Sequence, residues 1–389
     1  MGGPLTQAHF PTASIASSAS SPSCWTAGQV GAIRVDASNT APLIRNGDFV
    51  RIAPDLDIWD AWPIQDANGA PSALDDGQSL WMALGAPPFP DPEERHGHAR
   101  IHLISQDASG WRHLGPAMTD GFSPGSREWS GSAVLAPDRR TLTLYFTATG
   151  RRGEATPTFE QRLFRAEATL TRATGNYRLV DWHGLREIVA RDSAQYMASD
   201  AGTGVVGTIK AFRDPAYFRD PQDGTHHIFF AGSLAGSESA FNGVIGSAVA
   251  LDDTLDRWEI RPPLISADTL NNELERPHAI FHQGLYYLFW STQRHVFNPS
   301  GPTGPTGLYG MVSNRLFAGW EPLNGTGLVL ANPASAPKQA YSWLVLPDLR
   351  VTSFVDAWGT DGIDAQRFGA TFAPMLRLRL DGTRAHLAQ

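Results

Sequence analysis

Apolar residues along this chain come in short runs, not at the three-to-four-residue spacing of an amphipathic helix. ARIHLISQDASGW (99–111), TLTLYFTAT (141–149), HHIFFAGS (226–233), GLYYLFWST (284–292) and LRVTSFVDAW (349–358) either alternate or stay apolar throughout. Both patterns predict strands. Turn dipeptides separate them: Asn68-Gly69, Asp223-Gly224, Gln283-Gly284 and Asp381-Gly382. Beyond residue 45 no long amphipathic helix is predicted. The fold class is all-β.

A loose repeat runs through this pattern. An inner strand carries an acidic or Trp-containing motif, a turn and an apolar second strand follow, and a later strand carries a tryptophan. GWRHLGP (110–116), RWEIRPP (257–263) and GWEPLNG (319–325) are the three examples of that last strand. Such units predict a propeller of four-stranded blades, with a β-sandwich or barrel as the competing arrangement. Stretches 149–160, 191–210 and 293–306 are too long for tight turns and are expected to be functional loops. Residues 1–23 read as a flexible leader and 24–389 as one domain.

Composition narrows the function. The net charge is −8, and Lys210 and Lys338 are the only lysines, so nucleic acid and anionic membranes are poor partners. Cys24 stands alone, which excludes an intrachain disulfide and a cysteine-based zinc site. The histidine pairs His96/His98 and His226/His227 lack a third ligand at suitable spacing and read as surface or strand residues. No run of apolar residues is long enough for a membrane-spanning helix. No Lys or Arg precedes Arg34, so the leader lacks the charged start of a secretory signal. Twelve tryptophans suit a carbohydrate site, because flat aromatic faces match the C–H faces of sugars, although most are expected in the core.

Three acidic motifs carry the candidate chemistry. They are DIWDAWP (57–63) with Asp60 between Trp59 and Trp62, AFRDPAYF (211–218) with Asp214, and NNELERPHAIF (271–281) with Glu273 and Glu275. Each is followed by proline and then by strand sequence. Proline holds its predecessor extended, which would end an inner strand with a carboxylate facing a central cavity. Glycoside hydrolysis needs one carboxylic acid to protonate the leaving oxygen and one carboxylate to attack the sugar or activate water. Each motif alone is a weak signal; together on an all-β, Trp-rich chain they point to carbohydrate chemistry.

DIWDAWP, REWSGSA (127–133), AFRDPAYF, ELERPHAIFHQGLYYLF and QAYSWLVLP (339–347), in that order, resemble glycoside hydrolase family 68 over about residues 25–375. This is the family of levansucrases, inulosucrases and related β-fructofuranosidases, and the motif pattern is closest to its Gram-negative levansucrases. The resemblance implies a five-bladed β-propeller with a deep axial pocket. It implies Asp60 as nucleophile on C2 of the fructosyl unit of sucrose, Glu275 as general acid/base and Asp214 as transition-state stabiliser. Trp59, Trp129, Ser130, Arg213, Glu273, Arg276 and Tyr341 match its binding residues, with Ser130 hydrogen-bonded to the nucleophile and Tyr341 near the acid/base. Glu273 is expected to raise the Glu275 pKa as a like-charged neighbour, and Arg213 and Arg276 to donate to sugar hydroxyls or carboxylates.

Departures fall on the acceptor side. Gln293 stands where members carry Arg or His, with Arg294 and His295 next to it, and the sequence leaves open which of the three fills the place. Gram-positive members hold calcium partly through an Asp three residues before the acid/base; here that residue is Asn272, a weaker ligand. No metal and no cofactor are expected. The expected partners are sucrose and fructan or sugar acceptors, and the expected location is extracellular. The expected activity is transfer of fructosyl groups, with a mainly hydrolytic β-fructofuranosidase as the alternative kept open by Gln293. An arabinan- or xylan-acting propeller and an inactive sugar-binding propeller are further rivals.

Overall fold

Near-continuous apolar runs need burial on both faces, and they find it here around a central axis. The computed structural model describes residues 21–173, 175–199, 209–359 and 367–388. Five antiparallel blades follow one another in chain order, each entered by its innermost strand: Asp57–Gln65, Arg127–Leu135, Phe212–Arg219, Glu275–His282 and Ala340–Val345. The molecule is a five-bladed β-propeller. Blades 1 and 2 touch through a short parallel pairing of their inner strands, Ile64 with Ala133 and Gln65 with Val134.

Burial explains the sequence pattern. The first inner strand is buried along most of its length, whereas the outer strand Leu376–Asp381 alternates between buried and exposed residues. The repeat read from tryptophans falls on outer strands: Gly110–Pro116 in blade 1, Trp258–Ser266 in blade 3 and Glu321–Pro322 in blade 4. Gln283 and Gly284 form a two-residue hairpin with φ of 50° and 82°, the geometry that matches the twist of the flanking strands. The only α-helix among the described residues is the single turn Ala27–Gly31, and no helix there is long and apolar enough to cross a membrane.

The chain before blade 1 closes the ring. Residues 1–20 of the expected leader lie outside the described residues, but Ser23 and Cys24 already pair in parallel with Ile265 and Ser266 of blade 3. Trp25 then buries its indole against Trp290, Phe297 and Tyr309 of blade 4 and donates its N–H to Thr326. Ala41 bonds Ala331, and the Ile44 N–H is received by the Gln339 side chain at the entry to blade 5. Thr371 of blade 5 donates to the Val50 carbonyl. This belt crosses three blades before the chain enters the first, so it spans the seam between blades 5 and 1.

Candidate active site

All five inner strands slip register at the same level. The breaks lie between Trp59 and Trp62, Trp129 and Gly131, Arg213 and Ala216, Glu275 and His278, and Tyr341 and Leu344. A bulge frees its residue from the ladder and re-aims the side chain. Asp60, Asp214, Arg276 and Ser342 occupy these bulges with φ between 49° and 63°. A left-handed residue other than glycine costs about 1–3 kcal/mol and persists only where its surroundings enforce it. Ser130 holds the corresponding place in blade 2.

The extended geometry expected before proline is therefore wrong for Asp214 and Arg276. Pro215 and Pro277 sit inside the register breaks. Proline has no N–H to give to the ladder, so a bulge placed there loses no hydrogen bond. The carboxylate is aimed by the bulge and not by a strand end.

The bulges open onto an axial cavity of about 730 Å³. The candidate catalytic residues Asp60, Asp214 and Glu275 line it, together with Trp59, Trp129, Ser130, Arg213, Glu273, Arg276, Gln293 and Tyr341. Asp60 accepts a hydrogen bond from Ser130 Oγ at 2.6 Å. Trp59 and Trp129 flank this pair. Trp62 lies in the core, with the Arg276 guanidinium over its ring.

Glu275 is held from two sides. Arg213 Nη2 donates to its Oε1 at 2.8 Å, and the Tyr341 hydroxyl donates to its Oε2. Burial and the Glu275 carboxylate push the Tyr341 phenol well up, so it stays a proton donor. Glu273 lies 3.4 Å from the same Arg213 nitrogen. Burial and the Glu275 charge raise the Glu273 carboxyl to about 7. Burial likewise raises Asp214 to about 7; Arg213 opposes this, and Glu275 and Asp60 add to it. Asp214 accepts the backbone N–H of Arg276 at 3.1 Å.

Arg276 lines the cavity and is also tied into the frame. Its guanidinium donates to the Ala61 carbonyl at 2.8 Å and to Ser342 Oγ at 2.7 Å. It braces blades 1, 4 and 5 around the axis. On the acceptor side, Gln293 and His295 line the cavity and Arg294 does not.

One whole wall of the cavity was not expected from the sequence. The 3₁₀ turn Pro92–Gly97 places Glu93, Arg95 and His96 over the cavity. His96, read above as a surface residue, packs edge-on to Trp59, and its carbonyl receives the Trp129 indole N–H at 3.2 Å. Asp91 caps the turn by accepting from Glu93 N, and Pro92 follows it, a start signal that the sequence does carry. Phe159, from the loop over 149–160, and Asp356, at the end of the LRVTSFVDAW strand, also face the cavity. Among the described residues no three His, Cys, Asp or Glu side chains are grouped to hold a metal ion.

A propeller whose axial cavity gathers a half-buried carboxylate beside a serine and a second carboxylate between an arginine and a tyrosine is built as a carboxylate-dependent glycosidase is built. Comparison with known proteins gives the family. The model of glycoside hydrolase family 68, described as levansucrase/invertase, matches residues 15–242 and 238–389. A levansucrase of Pseudomonas syringae pv. actinidiae is 32% identical over 91% of this chain and 88% of its own length. A levansucrase of Erwinia amylovora is 30% identical over 94% of each chain. The solved inulosucrase of Halalkalicoccus jeotgali bound to kestose superposes with a TM-score of 0.87 at 32% identity, covering 94% of this chain and 95% of that one. The protein belongs to glycoside hydrolase family 68.

Proposed function

We propose that the protein is a levansucrase-type fructosyltransferase that cleaves sucrose with retention and passes the fructosyl group to a fructan, a sugar or water. The observation that carries this reading is the pairing of Asp60, held by Ser130, with Glu275, held by Arg213 and Tyr341, on one cavity. The family relatives, levansucrases and a kestose-bound inulosucrase, support the choice of sugar.

In the first step Asp60 attacks C2 of the fructosyl unit while Glu275 gives its proton to the glycosidic oxygen. The C2–O bond breaks, glucose leaves, and a fructosyl ester on Asp60 remains. In the second step Glu275 takes the proton of an acceptor hydroxyl, the acceptor oxygen bonds to C2, and Asp60 is released. Asp214 holds fructosyl hydroxyls in both steps. Trp59 and Trp129 wall the ring, and the single N–H of each indole leaves its faces free for sugar C–H contacts.

Incubation of the purified protein with sucrose tests the reading. Glucose should accumulate well ahead of fructose, with the missing fructose in fructan or oligosaccharide. Equal release would replace transfer by hydrolysis, and release of neither would end the assignment. Asp60→Asn and Glu275→Gln should each lower turnover by several orders of magnitude with the fold intact, measured by initial glucose release and circular dichroism.

A further inference from the structure

One buried charge has no part in the chemistry above. Lys210 precedes the inner strand of blade 3, and among the described residues its ammonium donates to neutral oxygens: the Ala240 carbonyl at 2.8 Å, Asn242 Oδ1 at 3.0 Å and Asn272 Oδ1 at 3.4 Å. Asn242 and Asn272 are fully buried. A buried cation is costly, and among the described residues this one has no carboxylate in direct contact.

The atoms beyond Asn272 show where that charge is felt. Asn272 takes the lysine on its oxygen and donates through Nδ2 to Glu273 Oε1 at 3.1 Å. The other Glu273 oxygen meets Arg213 Nη2, which also grips Glu275. The path runs from Lys210 to Asn272, to Glu273, to Arg213 and to Glu275. An amide polarised on its oxygen is a stronger donor from its nitrogen. Gln161 secures the near end, accepting from the Phe212 N–H and donating to the Lys210 carbonyl.

We infer that Lys210 is a positioning residue for the acid/base: acting through Asn272, it holds Glu273 ionised, so that Arg213 divides its charge between two carboxylates instead of placing it all on Glu275. The inference rests on the reading of Glu275 given above. The charged groups facing Glu273 are Arg213, Glu275, Asp214 and, through the amide, Lys210. Burial and two like charges push Glu273 up; among the described residues Arg213 and Lys210 bring cations to it. With Lys210 neutralised, Glu273 would need a higher pH to ionise.

The test is the pH profile of kcat/KM for sucrose in the wild type, Lys210→Met and Asn272→Ala. The acidic limb should move to higher pH in both variants, so that kcat/KM falls about three- to tenfold at pH 5 and stays within about twofold at pH 8. A limb that stays in place or moves to lower pH, whatever the thermal stability does, overturns the inference and leaves Lys210 a structural residue. If Lys210→Met does not fold, Asn272→Ala carries the test, since it cuts the path while leaving the lysine two of its oxygens. A wild type inert toward sucrose would sink the functional reading and this inference with it; an active wild type with unmoved variants sinks this inference alone.

Discussion

Burial raises the Asp214 carboxyl to about 7, against an unfolded value of about 3.9. A group whose pKa rises on folding stabilises the fold fully below its unfolded value and loses that contribution as pH climbs through the folded one. Asp214 therefore favours the fold near pH 4 and opposes it at pH 8, where its charge is buried. Asp214→Asn should unfold at least about 2 °C above the wild type at pH 8, with the advantage shrinking toward pH 5, while sucrose turnover drops about a hundred- to a thousandfold. Thermal unfolding at the two pH values checks this; a variant no more stable at pH 8 would mean that the charge is already well compensated. The residue types at the site were legible because each chemical role admits few side chains, and DIWDAWP, RDP and ELERP display them openly. His96 was not legible. Nothing within HGH distinguishes a surface turn from one laid over an axis, because that difference is made by Trp59 and Trp129, which are distant in sequence.

Elements show a similar division. The Gln283-Gly284 hairpin is local chemistry and could be read directly. The bulges belong to pairs of strands, so single-strand patterning could not reveal them; the prolines after Asp214 and Arg276 were visible, but their effect was assigned to the wrong backbone region. Blade 2 offers a test of how much the bulge geometry matters. A Cβ added at Gly131 would lie 1.9 Å from the Tyr145 carbonyl oxygen and 2.9 Å from the Phe146 Cα, both backbone atoms with little room to yield. Gly131→Ala should destabilise the protein by about 1–3 kcal/mol and shift Ser130 away from Asp60. The expected signature is a fall in kcat larger than any rise in KM, read from steady-state kinetics beside a denaturant melt. A stable variant with normal kcat would show that the bulge has freedom to adjust.

At the scale of the whole molecule, the strand pattern and the tryptophan repeat pointed to a propeller beside a sandwich or barrel, and the resemblance supplied the five blades, but the clasp was legible in neither. Residues 24–56 carry no repeat and no long strand, and their function lies entirely in contacts with blades far along the chain. Trp25→Ala removes the apolar anchor of that belt and should cost about 3–5 kcal/mol, with little change in KM because the cavity lies on other elements. Chemical denaturation of the variant beside sucrose kinetics separates the two effects; an unchanged melt would make the belt ornamental. The belt also orders events in time. Its bonds join residues 301, 295 and 321 positions apart, at Trp25–Thr326, Ile44–Gln339 and Val50–Thr371. On the ribosome these residues emerge before any blade, and their partners emerge only with blades 4 and 5. Trp25 stays unburied until blade 4 has been made, while each blade can pair locally as its own strands appear. Joining the seam is then among the last acts of folding, and the catalytic cavity, which needs every inner strand in place, is born with it.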